Sequence, residues 1–427
     1  MSLLERPNLR PLTARRIEHQ GQVFVMLEDP SGVVPQPVFL PIGGYAHVVQ
    51  HFNGLTTLIE IQARTLRETG QLLAMKDLED LVRRLDEAML IEGPAFARFH
   101  RQYRESGRRP AALAGRSYAA TLRALRAQLE QFFVGTHGAG VPAADRGAGA
   151  AEFRGILSPH IDFQRGGPVY TWSYRELVER SHAEIFVILG VAHQHCRRRF
   201  VLTHKDFETP LGVVPTARSY VDQIAALAGR DCFDDELSHR TEHSIEFQVV
   251  FLQYVLAGRR DFSIVPILVG SFQDLLERGV DPIDDPEVRR FVEALRAVEA
   301  ASGQRVAYIG GIDLCHVGPE FGDPNPVDVA LQEQVRHFDG VMLDRAAAGD
   351  ARGWFRTAAG VGNRWRVCGL AATYTFLHAI GPAQGRLLRY HQALDEGRTC
   401  CVSFASMAFH RLESPITTTH VELARPA

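Results

Sequence analysis

The spacing of apolar residues changes character several times along the chain. Residues 22–27 (QVFVML) and 35–40 (PQPVFL) are short β-like runs around the turn-forming DPSG at 29–32, which predicts a hairpin. Helical spacing then takes over from Leu55 to Glu68 and from Lys76 to Ile91. In the second stretch Leu78, Leu81, Val82, Leu85 and Met89 share a face, and Gly70 and Gly93-Pro94 stop the two helices. A hairpin followed by short helices predicts a small α+β, winged-helix-like N-terminal domain over residues 1–98. An arginine-rich connector is expected at 99–115. Between Arg98 and Arg126 the single acid is Glu105, and a solvated linker is favoured over an RNA-contacting or acidic-partner patch.

Ser117 to Phe133 (SYAATLRALRAQLEQFF) reads as an amphipathic helix, and GTHGAGVPAADRGAGA at 135–150 as a flexible loop. Beyond it, apolar runs at Phe153–Leu157, Glu184–Leu189, Phe262–Val269, Arg305–Ile309 and Cys400–Phe404 alternate with helical segments. That alternation predicts an α/β fold, a central mostly parallel sheet flanked by helices, over residues 116–412, with a tail at 413–427.

Composition narrows the function. With 427 residues and 45% hydrophobic content the chain can build real cores. Forty-seven basic against fifty acidic side chains leave a net charge of −3, so nucleic acid is not an expected partner. No window approaches the ~18 apolar residues of a membrane span, and MSLLERPNLRPLTARR has no apolar core behind its basic residues. A soluble, cytoplasmic protein is expected. Six cysteines without a C-x-x-C pair suit neither a disulfide framework nor a zinc ribbon, leaving single ligands or nucleophiles.

Three apolar runs end alike: FRGILSPH at His160, EIFVILGVAH at His193 and RVAYIGGIDLCH at His316. Ligands of open α/β sheets bind outside the carboxyl ends of the strands, so these histidines are expected to converge on one crevice. In RTEHSIEFQVVFLQYV, Glu242, His243 and Glu246 open a helix. Capping accounts for the two acids as well as a site would, but does not account for His243. Cys368 precedes the apolar helix of GNRWRVCGLAATYTFLHAI, where a helix N-terminus would favour its thiolate; a buried, inert cysteine is the alternative.

SPHIDFQRGG, ILGVAH, TPLG, EHSIEFQVVFLQY, FSIVPILVGSF, IGGIDLCHVG and VCG, in this order and spacing, resemble the Memo family, in bacteria the AmmeMemoRadiSam system protein B. AGRSYAATLRALRAQLEQFF resembles the family's opening A-G-x-x-Y and first helix, so the likeness spans residues 113–412. It implies the fold of class III extradiol dioxygenases and a pocket that holds iron or copper on His160, His193 and Cys368. Asp313 and His316 match the family's D-F-C-H, and Glu242 and His243 its E-H-S-I-E, as catalytic residues lining that pocket. It also implies radical-SAM and AMMECR-type pathway partners. Upstream, LLAMKDLEDLVRRLDEAMLIEG resembles the peptide-chaperone modules related to PqqD.

A His2Cys set with open positions suits Cu(I) and Fe(II) and would also hold zinc. The related dioxygenases use a carboxylate where this chain has cysteine, which argues against aromatic ring cleavage. Asp162, in P-H-I-D-F, either orients His160 or caps the following turn, and Gln194 replaces the second histidine of the family's S-H-H. The leading expectation is a metal-dependent oxidoreductase acting on an unidentified small molecule or peptide, with His316 moving protons. The alternatives are a zinc-type hydrolase with Glu242 as base, and a non-catalytic peptide- or metal-binding scaffold that docks partners through its N-terminal domain.

Overall fold

The computed structural model describes residues 4–34, 36–42, 45–143 and 152–411; part of the 135–150 loop and the 413–427 tail lie outside the described residues. The chain divides into two units, Met1–Gly107 and Arg108–Ala427.

In the first unit, β1 (Thr13–His19), β2 (Gln22–Glu28) and β3 (Val38–Pro41) form an antiparallel sheet. The expected hairpin is β2–β3, with Val25 opposite Leu40. β1 escaped the sequence reading because TARRIEH carries one large aliphatic residue, Ile17, and is almost wholly exposed. Helices α1 (Tyr45–Val49), α2 (Leu58–Thr69), α3 (Met75–Glu87) and α4 (Pro94–Glu105) follow. α2 starts in a capping box between Thr57 and Glu60 and stops at Gly70, whose φ of 72° is open to glycine at little cost. Leu27, Leu40, Ile61, Leu78, Val82 and Leu85 form the core, each worth about 1.5–3 kcal/mol of apolar burial. Most of α4 lies in the segment read as connector.

The second unit contains β4 (Arg108–Arg109), α5 (Leu122–Val134), β5 (Phe153–Ser158), α6 (Phe163–Arg180), β6 (Ile185–Val191), β7 (Phe200–Leu202), β8 (Asp206–Thr209), β9 (Gly212–Val214) and α7 (Arg218–Ala228). It continues through α8 (His243–Leu256), β10 (Ser263–Val269), α9 (Gln273–Glu277), α10 (Pro286–Ser302), β11 (Val306–Gly311), β12 (His316–Val317), α11 (Val329–Ala347), α12 (Ala351–Ala359), α13 (Leu370–Ile380), β13 (Ala383–Leu394) and β14 (Cys401–Arg411). The α/β class expected from the alternation forms, with a mixed sheet. Its centre, β5-β11-β6-β10, is parallel, while β7, β12, β13 and β14 pair antiparallel. β13 was not foreseen because its residues are mostly half-buried or exposed and make no apolar run.

Both faces of the central sheet are covered. Val187 and Leu189 point into a core completed by α7, α10 and α13, whereas Phe186 and Ile188 point into one completed by α5, α6 and α8. Strands buried on both sides read as continuous apolar runs, the pattern that revealed them.

Candidate functional site

β5, β11 and β6 are neighbours and run parallel, so their carboxyl ends share one edge. His160, Asp313 and His193 each lie two residues past one of these ends. The first turn of α8 meets the same edge. Ser244 Oγ accepts from the Val191 N–H and donates to its carbonyl, both at 3.0 Å. The approach needs glycine at 311, where a Cβ would stand 2.5 Å from the Ser244 carbonyl oxygen. Cys368, just before α13, is held by its N–H bond to the Leu314 carbonyl.

These elements bring two imidazoles and a thiol together. Cys368 Sγ lies 3.2 Å from His160 Nε2 and 3.4 Å from His193 Nε2. His160 Nδ1 is 3.0 Å from the Gly311 carbonyl, which can only accept, so Nδ1 carries the proton and Nε2 the lone pair. His193 Nδ1 is 3.0 Å from both oxygens of Glu242, which accept its N–H. Ligating histidines are normally braced in this way, through a carbonyl or carboxylate on the far nitrogen. His160 is buried, while the His193 side chain is 39% exposed and marks the open side. There a cleft of about 240 Å³ runs past Gly270 and Phe272 to Arg366.

A model of the Memo-like protein family matches residues 109–408. The chain belongs to the Memo-like family. A MEMO1 family protein of Aquifex aeolicus is 25% identical across 92% of this chain and 98% of its own length. One from Thermus thermophilus is 29% identical, covering 79% and 94% of the two chains. A third, from Methanopyrus kandleri, is 28% identical and is matched over 99% of its length by 71% of this chain. That relative is nearly complete without a counterpart to the remainder of this one.

In this Memo-like chain Glu242 combines the two roles the sequence left open. It is the N-cap of α8, accepting from the N–H groups of His243 and Ser244, and it braces His193. Those donors and the neighbouring imidazoles hold its carboxyl well below the usual range in spite of burial. His193 is raised to about 11: burial opposes its charge, but Cys368 and Glu242 outweigh that. The His243 ring stacks on His193 with centroids 4.6 Å apart, and burial lowers its pKa to about 4. Asp313 accepts from the His160 N–H at 3.0 Å and is pushed up to about 7 by burial.

Several placements differ from the sequence reading. Asp162 caps α6, accepting from Gln164 and Arg165, and Asp313 is the acid beside His160. Asp313, not His316, occupies the strand-end position equivalent to His160 and His193. His316 opens β12, opposite Val402 on β14, with Nδ1 3.1 Å from the Leu314 carbonyl. Burial lowers its pKa to about 4. Burial raises the Cys368 thiol above its ordinary value, the opposite direction from the one expected at a helix N-terminus, while His193 acts to lower it. Glu246 neither caps nor joins the site: it is buried against Arg109, a residue the sequence reading left in a solvated connector. No signal in the sequence pairs two residues so far apart.

No described helix is long and apolar enough to cross a membrane.

Proposed function

We propose that the chain holds a transition metal on His160, His193 and Cys368 and acts as a nonheme iron or copper redox enzyme. The reading extends to the bacterial AmmeMemoRadiSam system protein B type, on a fold shared with class III extradiol dioxygenases. The observation that carries it is the approach of two braced imidazole Nε2 atoms to one thiol sulfur at the carboxyl ends of parallel strands of one sheet. Nitrogen and sulfur donors of this kind fit iron, copper or zinc. Bound there, iron or copper supplies one-electron chemistry and zinc supplies Lewis acidity.

The chain's own residues divide the remaining work. Gly311 and Asp313 hold His160, Glu242 holds His193, and the half-exposed face of His193 admits a small molecule or a peptide side chain from the cleft. Zinc hydrolysis with Glu242 as base is the weaker reading, because that carboxylate is already engaged by the His193 ring and three backbone N–H groups. The N-terminal unit is proposed as a winged-helix, PqqD-like docking module for radical-SAM and AMMECR-type partners in the cytoplasm.

The test is metal analysis after anaerobic purification, followed by dioxygen and superoxide consumption. Iron or copper with oxidant consumption supports the reading. Zinc with hydrolytic turnover overturns it in favour of a hydrolase, and bound metal with neither activity overturns it in favour of a scaffold.

A further inference from the structure

We propose that the cleft beside Cys368 takes a small carboxylate, gripped by the guanidinium of Arg366. The inference deepens the proposed function by naming the class of molecule that the site admits, and it rests on that reading for the reaction at the molecule's other end.

Charge along the cleft singles out Arg366. The walls carry His193, Cys368 and the neutral side chains of Ser271, Gln273 and Asn363, with no carboxylate, and Arg366 is the one guanidinium among the described residues that line them. Asp323, which pairs with Arg366, lies outside that lining. A guanidinium stays charged at every physiological pH, and its planar fork of N–H donors matches the two oxygens of a carboxylate. In Arg366 one edge of the fork is taken. Nη1 and Nη2 donate to the two oxygens of Asp323 at 3.2 and 2.6 Å, and Nη1 also donates to the His316 carbonyl at 3.1 Å. The other edge, Nε–H with the second hydrogen of Nη2, meets no acceptor among the described residues, on a side chain 36% exposed.

The chain fixes this side chain before any ligand arrives. Arg366 sits at φ 52°, in the left-handed region that disfavours a residue with a Cβ, and such a conformation persists where its surroundings hold it. Here the Arg366 N–H donates to the Asn363 carbonyl at 2.8 Å and the Val367 N–H to Asn363 Oδ1 at 3.0 Å. The same loop is tied to the site, since the His316 N–H donates to the Trp365 carbonyl at 2.8 Å and the Cys368 N–H to the Leu314 carbonyl at 3.1 Å. The fork and the sulfur are therefore two residues apart on one anchored loop, facing one cleft. A fork held in advance loses little freedom on binding. At about 240 Å³ the cleft is smaller than those that take drug-sized ligands, which calls for a small acid.

Benzoate is the probe and benzamide its uncharged counterpart, each titrated calorimetrically into the full-length protein. Benzoate should bind at least ~10-fold more tightly, as a hydrogen-bonded charge pair requires, and Arg366→Gln should abolish that preference. Equal binding of the two by the wild type would overturn the inference, as would a preference that survives in Arg366→Gln. Inorganic phosphate binding more tightly than benzoate would overturn the carboxylate assignment in favour of a phosphoryl group. After chelator treatment the preference should persist, because Arg366 is no ligand of the centre; a preference that disappears with the metal would place the carboxylate on the metal and overturn the inference. Metal content is read by elemental analysis and not by these titrations, so the two readings fail separately. If Arg366→Gln does not fold, the wild-type Arg366 Nε–H proton resonance decides the matter: benzoate should shift it and benzamide should not, and no shift with benzoate would overturn the assignment.

Discussion

The Arg109 guanidinium is buried against the Glu246 carboxylate, one helical turn beyond Glu242, with both side chains shut off from solvent. Arg109 also donates to the carbonyls of His239 and Glu242, and Glu246 accepts from the N–H groups of Ala112 and Leu113 and from the Tyr118 hydroxyl. Removing one partner strands a buried charge. Glu246→Ala should therefore cost ~3–5 kcal/mol in denaturant unfolding, whereas Arg109→Met combined with Glu246→Leu should cost less than the sum of the single changes. Strict additivity would show that the two charges do not depend on each other.

The same network places the working start of the Memo-like unit. A chain shortened to 108–427 keeps Arg109, Ala112, Leu113 and Tyr118, and should express as a soluble, cooperatively folding protein. One shortened to 119–427 loses all four partners of Glu246 and should aggregate or unfold far more readily. Equal thermal melting of the two would mean that the 108–118 segment contributes nothing to the fold.

Glu242→Gln isolates the brace from the cap. Glutamine keeps a carbonyl oxygen for the first N–H groups of α8, so helix and fold should survive with little change in melting temperature. It loses the charge that holds His193. Metal affinity measured by chelator competition should fall by ~10–100-fold, the usual cost of removing such a partner. Unchanged affinity would show that His193 needs no carboxylate.

A separate buried group carries a pH signature. Asp339 accepts from the Cys315 thiol at 3.0 Å and the Tyr390 hydroxyl at 2.8 Å, and burial raises its pKa from 3.8 to about 6. Between those values the folded state retains a proton that the unfolded state has lost, so this group's contribution to stability falls as pH rises from about 4 to about 6. The full effect is roughly 2–3 kcal/mol. Asp339→Asn should remove that part of the slope when unfolding free energy is followed from pH 4 to pH 7. An identical slope in the variant would mean that Asp339 titrates normally.

Much of this architecture is legible in the chain because of where its signals sit. Strands buried on both faces write themselves as apolar runs, and histidines two residues past β5 and β6 announce a shared edge. The offset that puts Asp313 rather than His316 at the third strand end is not visible, since GGIDLCH gives no mark of where β11 stops. Arg109 looked solvated because its partner is distant in the chain and its neighbours are arginines. β1 and β13 carry too few buried side chains to produce a run. The Cys368 thiol is raised by burial, which the sequence does not display.

Metal stoichiometry tests the central claim most directly. Anaerobically purified wild type, His160→Ala, His193→Ala, Cys368→Ser and Cys315→Ser should be compared by elemental analysis after passage over a chelator. Cys315 is the control, a fully buried thiol bonded to Asp339. Near-stoichiometric iron or copper is expected in the wild type and in Cys315→Ser, with affinity weakened at least ~10-fold in the other three. Full metal retention in Cys368→Ser, or loss in Cys315→Ser, would contradict the account.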